Sequence, residues 1–291
     1  MIKKNLILTI LHNYNYPIVE PFIKSLKETG YKDDLVIFIS DITPKTTKRI
    51  LKKQGAILIE FKTSYPFIDN YQDVFQDIVP SITVNNYRFL FYLKYLAENA
   101  DQYENIMLTD IRDVVFQRNI FDRIENNKIY FFLEDSSEVF RSSRMNYDWC
   151  LYANGPAITN RIIDKNVSCA GIVIGSYQHI MDYLLYIQSR LKSRADLFWG
   201  LDQGVHNEYV YTVPNSSAMI ISNTLPLVLT LGACKNFKQS PNGDLINELN
   251  EPYSVIHQYD RFGDLIVYFK RKYLGNRLLQ ILKKALFIIL P

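Results

Sequence analysis

Short apolar runs alternate with amphipathic stretches over the first sixty residues. Residues 6–11 are apolar except for Thr9, the pattern of a strand covered on both faces. Ile18, Phe22 and Leu26 then recur at helical spacing, in a segment opened by Pro17 and Pro21 and closed by Gly30. A second apolar run at 35–39, a helical pattern at 43–54 stopped by Gly55 and a third run at 56–61 complete a β-α-β-α-β series. Such a series predicts a parallel sheet with right-handed crossovers.

The same alternation continues with interruptions. Residues 62–80, rich in Tyr, Asp and Gln, read as a surface loop, and 81–99 as an aromatic-rich helix. Strands are expected at 105–109 and 129–133, and again at 170–174 with a helix following Ser176. The polar segment 136–168 reads as loops and short elements. One or two strands are expected within 218–231 and a last short one at 254–257. No repeat or low-complexity linker divides the chain, so residues 1–264 are expected to form a single α/β domain, followed by a distinct segment at 265–291.

Composition narrows the classes. With 48% hydrophobic and 22% charged residues, the chain can bury a full core, which excludes disorder. Cys150, Cys169 and Cys234 are odd in number and widely spaced, which points to a reducing compartment rather than a disulfide framework or zinc knuckle. The amino-terminal apolar run stops at Leu11 with no small-residue cleavage site after it, so it reads as a buried strand and not a signal peptide. No run of about 18 apolar residues predicts a transmembrane helix. The net charge of +3 is uneven: six basic residues and no acid lie in 265–291, leaving the body near −3. A nucleic-acid binder would more usually spread basic charge over its folded body, and none is expected as a partner here.

In open α/β sheets ligands bind beyond the carboxyl ends of the strands. The strand at 105–109 runs into Asp110-Ile111-Arg112-Asp113, which sets two hard oxygen donors at the sheet edge. Carboxylates there suit Mg²⁺ or Mn²⁺, ions that also take diphosphate oxygens. The competing reading has Asp110 capping the next turn while Arg112 pairs with Asp113. His257, at the end of an apolar strand, is either a third ligand or a satisfied strand-end histidine. Asp202 and His206 share one helix face but have no third ligand near them in sequence. Arg88 sits in an apolar helix and needs a partner if buried, with Asp101 and Glu104 as candidates.

The order of these segments resembles the GT-A glycosyltransferases, whose DxD-bearing strand delivers a metal to a nucleotide-diphosphate sugar. Ser168-Cys169-Ala170-Gly171 looks like the small-residue strand those enzymes place beside the sugar. Trp199-Gly200-Leu201-Asp202-Gln203 is similar to the Asp-Gln segment of glycogenin-type members, and Ile256-His257 resembles their late metal-binding histidine. The likeness runs from about residue 5 to 262. It implies a mixed, mainly parallel Rossmann-like sheet flanked by helices. The metal, Mn²⁺ or Mg²⁺, would rest on Asp110, Asp113 and His257. Donor contacts would come from His12, Tyr14, Arg88, Arg112 and Gly171, with Tyr14 able to stack on the base while His12 also reads as local structure. Asp202 and Gln203 would stand beside the transferred sugar, where Asp202 acts as a base or holds the sugar. Stereochemistry turns on where Asp202 and Glu134 or Asp135 stand, and the Asp-Gln segment tilts the expectation toward retention.

One departure stands out. The usual motif has its acids two apart, whereas Asp110 and Asp113 are three apart, with Arg112 in the second-acid place. Asp113 reaches the metal only if the turn curls back; otherwise Arg112 offers its guanidinium fork to the diphosphate. The implied activity is transfer of a sugar to a glycan or lipid-linked acceptor. The altered spacing keeps a second class open, a catalytically silent nucleotide-binding scaffold. The stretch 270–291 is basic and amphipathic, with Leu274, Leu278, Ile281 and Leu282 on one side. It suits an anionic bilayer surface, giving a cytoplasmic protein peripheral on the inner membrane face, or else packs on the body.

Overall fold

A computed structural model describes residues 3–63, 84–192, 199–213 and 216–274. The three leading apolar runs form strands β1 (Lys4–Leu11), β2 (Asp34–Ser40) and β3 (Ile57–Phe61), joined by helices α1 (Tyr16–Glu28) and α2 (Lys45–Lys53). The loop expected at 62–80 lies outside the described residues from 64 onward. Next come α3 (Val84–Glu98), β4 (Tyr103–Thr109), β5 (Val114–Phe116), β6 (Ile129–Leu133) and α4 (Arg144–Arg161). After these run β7 (Ser168–Ser176), α5 (Tyr177–Lys192), α6 (Leu201–Thr212), β8 (Ala218–Ile221) and β9 (Val228–Thr230). A short pair, β10 (Lys238–Gln239) with β11 (Leu245–Ile246), precedes β12 (Val255–His257) and α7 (Gly263–Leu274).

Seven strands make one twisted sheet in the order β3-β2-β1-β4-β7-β6-β8. All run parallel except β7, which is antiparallel to both of its neighbours, β4 and β6. The molecule is therefore a single α/β domain with a mixed, mostly parallel, Rossmann-like sheet between helices. Alternation along β1 explains the layers. Leu6, Leu8 and Ile10 pack with Phe89 of α3, Ile180 of α5 and Val205 of α6, while Ile7 and Leu11 pack with Val19 and Phe22 of α1. Each such side chain, fully buried, stabilises the fold by roughly 1.5–3 kcal/mol.

A second sheet, β5-β12-β9, lies beyond the carboxyl end of β4. Its apolar side takes Leu265, Phe269 and Tyr273 of α7, leaving Lys270, Arg271 and Lys272 exposed. The first turns of the basic carboxyl-terminal segment thus pack on the body, and 275–291 lie outside the described residues. Among the described residues, no helix is long and apolar enough to cross a membrane.

Two elements differ from the sequence expectation. The stretch 136–168 contains an 18-residue helix, α4, rather than loops and short elements alone. It is two helical pieces meeting at Gly155, whose φ of 75° breaks the regular backbone just before Pro156. Strand β5, three residues long, is too short for any periodicity to announce.

Candidate functional site

The β4–β5 turn and strand β12 build the centre of the site. Strand β12 pairs antiparallel with β5 in a register that puts His257 opposite Val114, the residue after Asp113. The Gln258 N–H donates to the Asp113 carbonyl at 2.8 Å and locks that junction. Asp110, at the end of β4, donates its N–H to the Gly171 carbonyl of β7 at 2.9 Å. The turn does curl back: one ligand atom each from Asp110, Asp113 and His257 lies within 4.8 Å of the others.

Gly171 is what lets this cluster close. A Cβ at that position would stand 2.7 Å from Asp110 Oδ2 and would also overlap the His257 ring. The His257 ring is only 1% exposed, yet neither of its nitrogens makes a hydrogen bond. A buried imidazole without a partner is costly unless something else occupies it. Its Nε2 lies 3.5 Å from Asp110 Oδ2. Two carboxylates with one imidazole nitrogen suit a hard divalent ion, and the nitrogen favours Mn²⁺ over Mg²⁺. The residues present therefore fit the metal that the sequence resemblance implies.

Arg88 of α3 is the second organiser. Neither Asp101 nor Glu104 is its partner; Nη1 donates to Asp110 Oδ1 at 2.5 Å and Nη2 to Asp202 Oδ2 at 3.2 Å. Burial works against Asp110 ionising, but Arg88 and His257 outweigh it and hold the carboxyl low, at about 2. Burial dominates at Asp113 and Asp202 and raises both, partly offset by His257 and by Arg88 respectively. For His257, burial favours the neutral ring, but Cys169, Asp110 and Asp113 together push its affinity for a proton up. Asp202 occupies the first turn of α6, where the helix dipole favours an anion, and its N–H donates to Asn86 at 3.1 Å.

Arg88, Asp110, Asp113, Gly171 and Asp202 line a cleft of about 620 Å³, within the ordinary range for a ligand site. Five carboxylates line it (Asp110, Asp113, Glu134, Glu138 and Asp202) against three guanidiniums, Arg88, Arg112 and Arg261. No protein-family model matches the chain, and no curated protein matches it.

The remaining expected residues divide into two groups. His12 and Tyr14 follow β1 and line the cleft on one side of β4; burial keeps the His12 ring toward its neutral form, and its Nδ1 has no hydrogen-bond partner. Arg112 is half-exposed on the rim, 2.8 Å from Asp260 and 3.6 Å from Asp113. Gln203 lines the cleft, but its amide is committed to β7, accepting from Ala170 N at 2.9 Å and donating to Ser168 O at 2.8 Å. His206, on the same helix, points away from the cluster into a sealed network with Ser168 and Tyr183.

Several cleft residues escape a reading of sequence. Glu138, Asn146, Trp149 and Arg261 lie in or beside elements that carry no motif, and α4 itself is hidden by its break at Gly155. Glu134, at the end of β6, also faces the cleft; burial and then the charge of Glu138 raise its carboxyl to about 7. Asp135 turns aside to Ser137, whose N–H donates to it at 2.9 Å.

Proposed function

We propose that this protein is a divalent-cation-dependent glycosyltransferase, moving a sugar from a nucleoside diphosphate donor to a hydroxyl of a glycan or lipid-linked acceptor. The observation that carries this reading is the Asp110–Asp113–His257 cluster, whose buried imidazole makes no hydrogen bond and whose two carboxylates line a cleft holding two more acids than guanidiniums. A divalent ion would suit the Asp110–Asp113–His257 donor set and, when bound, would supply positive charge to a departing diphosphate. The protein's own groups do the rest. Arg88 holds Asp110 and Asp202 in fixed relation, so the metal-facing and sugar-facing carboxylates cannot drift apart. Arg112 and Arg261 on the rim can approach the phosphates as charge-assisted donors. His12 and Tyr14, beyond β1, are placed for the base and ribose. Asp202 stands on the opposite side of Asp110, where it can steady the sugar or take a proton from the acceptor. In the same reading the exposed basic residues of α7 and the amphipathic stretch after them seat the protein on an anionic bilayer surface.

Thermal unfolding against UDP, GDP, CMP and their sugar conjugates, each with Mn²⁺ and with EDTA, tests the donor site. We expect stabilisation by one nucleotide that EDTA removes, since a ligand at a hundred times its Kd stabilises by about 2.7 kcal/mol. Asp110→Ala should abolish the shift and cut transfer by roughly a hundredfold or more, with circular dichroism unchanged. No shift with any nucleotide sinks the proposal. Metal-dependent nucleotide binding without hydrolysis or transfer to any acceptor points instead to the silent scaffold.

A further inference from the structure

The far wall of the cleft carries an aromatic corner that the donor chemistry leaves unused. Trp149 of α4 and Trp199, just before α6, meet edge to face with ring centroids 4.8 Å apart and an interplanar angle of 84°. Trp199 remains 52% exposed and Met145, which lines the same cleft, 53% exposed, so apolar surface stands open in a polar cleft. Two glycines hold the corner in place. Gly200 has φ +88°, a conformation other residues rarely adopt, and a Cβ there would stand 2.5 Å from Trp149 Nε1. Gly204, one turn on, would bring a Cβ to 2.6 Å from the Trp149 carbonyl. Backbone chosen to seat one indole against another, with half of the outer ring left open, is costly in water unless a ligand covers it.

We infer that the Trp149–Trp199 corner is a saccharide subsite that stacks a pyranose ring of the acceptor. The inference rests on the transferase reading and names its acceptor. A sugar ring has one face of axial C–H bonds and an edge of hydroxyls. The corner offers exposed indole surface for the first, and Asp202 and Asn146 line the same cleft for the second. Position separates it from the donor base. Gln203 ties the start of α6 to β7, on one side of β4, whereas His12 and Tyr14 follow β1 on the other. A ring on Trp199 therefore lies three residues along the chain from Asp202, which Arg88 links to the metal cluster.

The chain has only two tryptophans, and both are in this corner, so emission excited at the red edge of the tryptophan band, where the tyrosines do not absorb, reports on this wall alone. The full chain is titrated with α- and β-linked glucose trisaccharides, an N-acetylglucosamine trisaccharide and a galactose-containing disaccharide. At least one should quench or shift the emission saturably at millimolar concentration. Trp199→Ala should weaken that response at least tenfold, read from the remaining Trp149 and by calorimetry, and Trp199→Phe should fall between. Circular dichroism and melting of each variant establish that it folds. Silence toward every saccharide up to about 50 mM, a concentration that would reveal even very weak binding, overturns the subsite. Undiminished binding in Trp199→Ala overturns it too, as does loss of Mn²⁺-dependent nucleotide stabilisation in that variant, which would make the wall a base platform. Saccharide binding lost in Trp199→Ala, in a protein that no nucleotide stabilises with Mn²⁺, upholds the subsite while the transferase reading falls.

Discussion

His206 and His257 are both sealed from solvent, at 0% and 1% exposure, yet their ring nitrogens are treated differently. His206 is saturated: Nε2 lies 2.9 Å from Ser168 Oγ and Nδ1 2.9 Å from the Tyr183 hydroxyl. Neither partner is charged, and burial with Arg88 nearby depresses its proton affinity to about 3. It stays neutral in the fold while an unfolded histidine titrates near 6.5. Between those values only the unfolded state takes up the proton, so stability is full above pH 6.5 and is lost as pH falls toward 3. At pH 5 the linkage costs about 2 kcal/mol relative to pH 8. His206→Gln, which can still bond both hydroxyls, should remove that loss. Urea unfolding at the two pH values decides: an equal acid loss in variant and wild type refutes the assignment. His257, by contrast, makes no hydrogen bond through either nitrogen, and that difference singles it out as the candidate metal ligand.

Helices α4 and α6 pack so closely that Gly204 has no room for a methyl group: a Cβ would lie 2.6 Å from Ala153 Cβ and 2.6 Å from the Trp149 carbonyl. Backbone cannot step aside as a flexible side chain can. Gly204→Ala should therefore destabilise the protein by about 1–3 kcal/mol, the usual cost of overpacking. A melting temperature within experimental error of wild type would contradict this. The same pair of helices marks the limit of what the sequence discloses. Strands buried on both faces announce themselves as apolar runs, so β1, β2, β4 and β6 were legible, and Asp110 at the end of β4 with them; Asp202 was legible only through the likeness of its segment to a known family. Helix α4 was not, because Asn154-Gly155-Pro156 punctuates it like a loop and its buried face is sparse, with Cys150 and Ala153 among few core residues. Strand β5 was not, because its three apolar residues follow Asp113 at once and read as part of the acidic motif. Without β5 there was no register to bring Asp113 to His257, so a turn folding back could be posed only as a condition on the wide spacing of the two acids. Arg88 needed a partner by its sequence, but both of its partners come from distant elements, which local spacing does not reveal.

At the scale of the whole molecule, charge is divided: the body is near −3 and residues 265–291 hold six basic groups and no acid. Helix α7 shows how the division is presented. Leu265, Phe269 and Tyr273 face the body, so Lys270, Arg271 and Lys272 are turned outward together, each exposed. Lys24 of α1 holds the end of this helix, donating to the Tyr273 carbonyl. Arg261 on the cleft rim lies two residues before α7, so a surface that captures the basic segment also captures the neighbourhood of the cleft. Each Lys or Arg near an anionic bilayer contributes about 1 kcal/mol. Replacing Lys270, Arg271 and Lys272 with glutamine should then weaken binding to phosphatidylglycerol vesicles by on the order of 100-fold. Wild-type binding should fall steeply with salt, because exposed charges are screened within about 10 Å at 0.1 M. Co-sedimentation of the full chain with anionic and with zwitterionic vesicles measures this directly. Equal binding to both, unaffected by salt or by the triple substitution, would remove electrostatics as the cause; no binding to either would leave α7 as a packing helix whose basic face only solvates the protein.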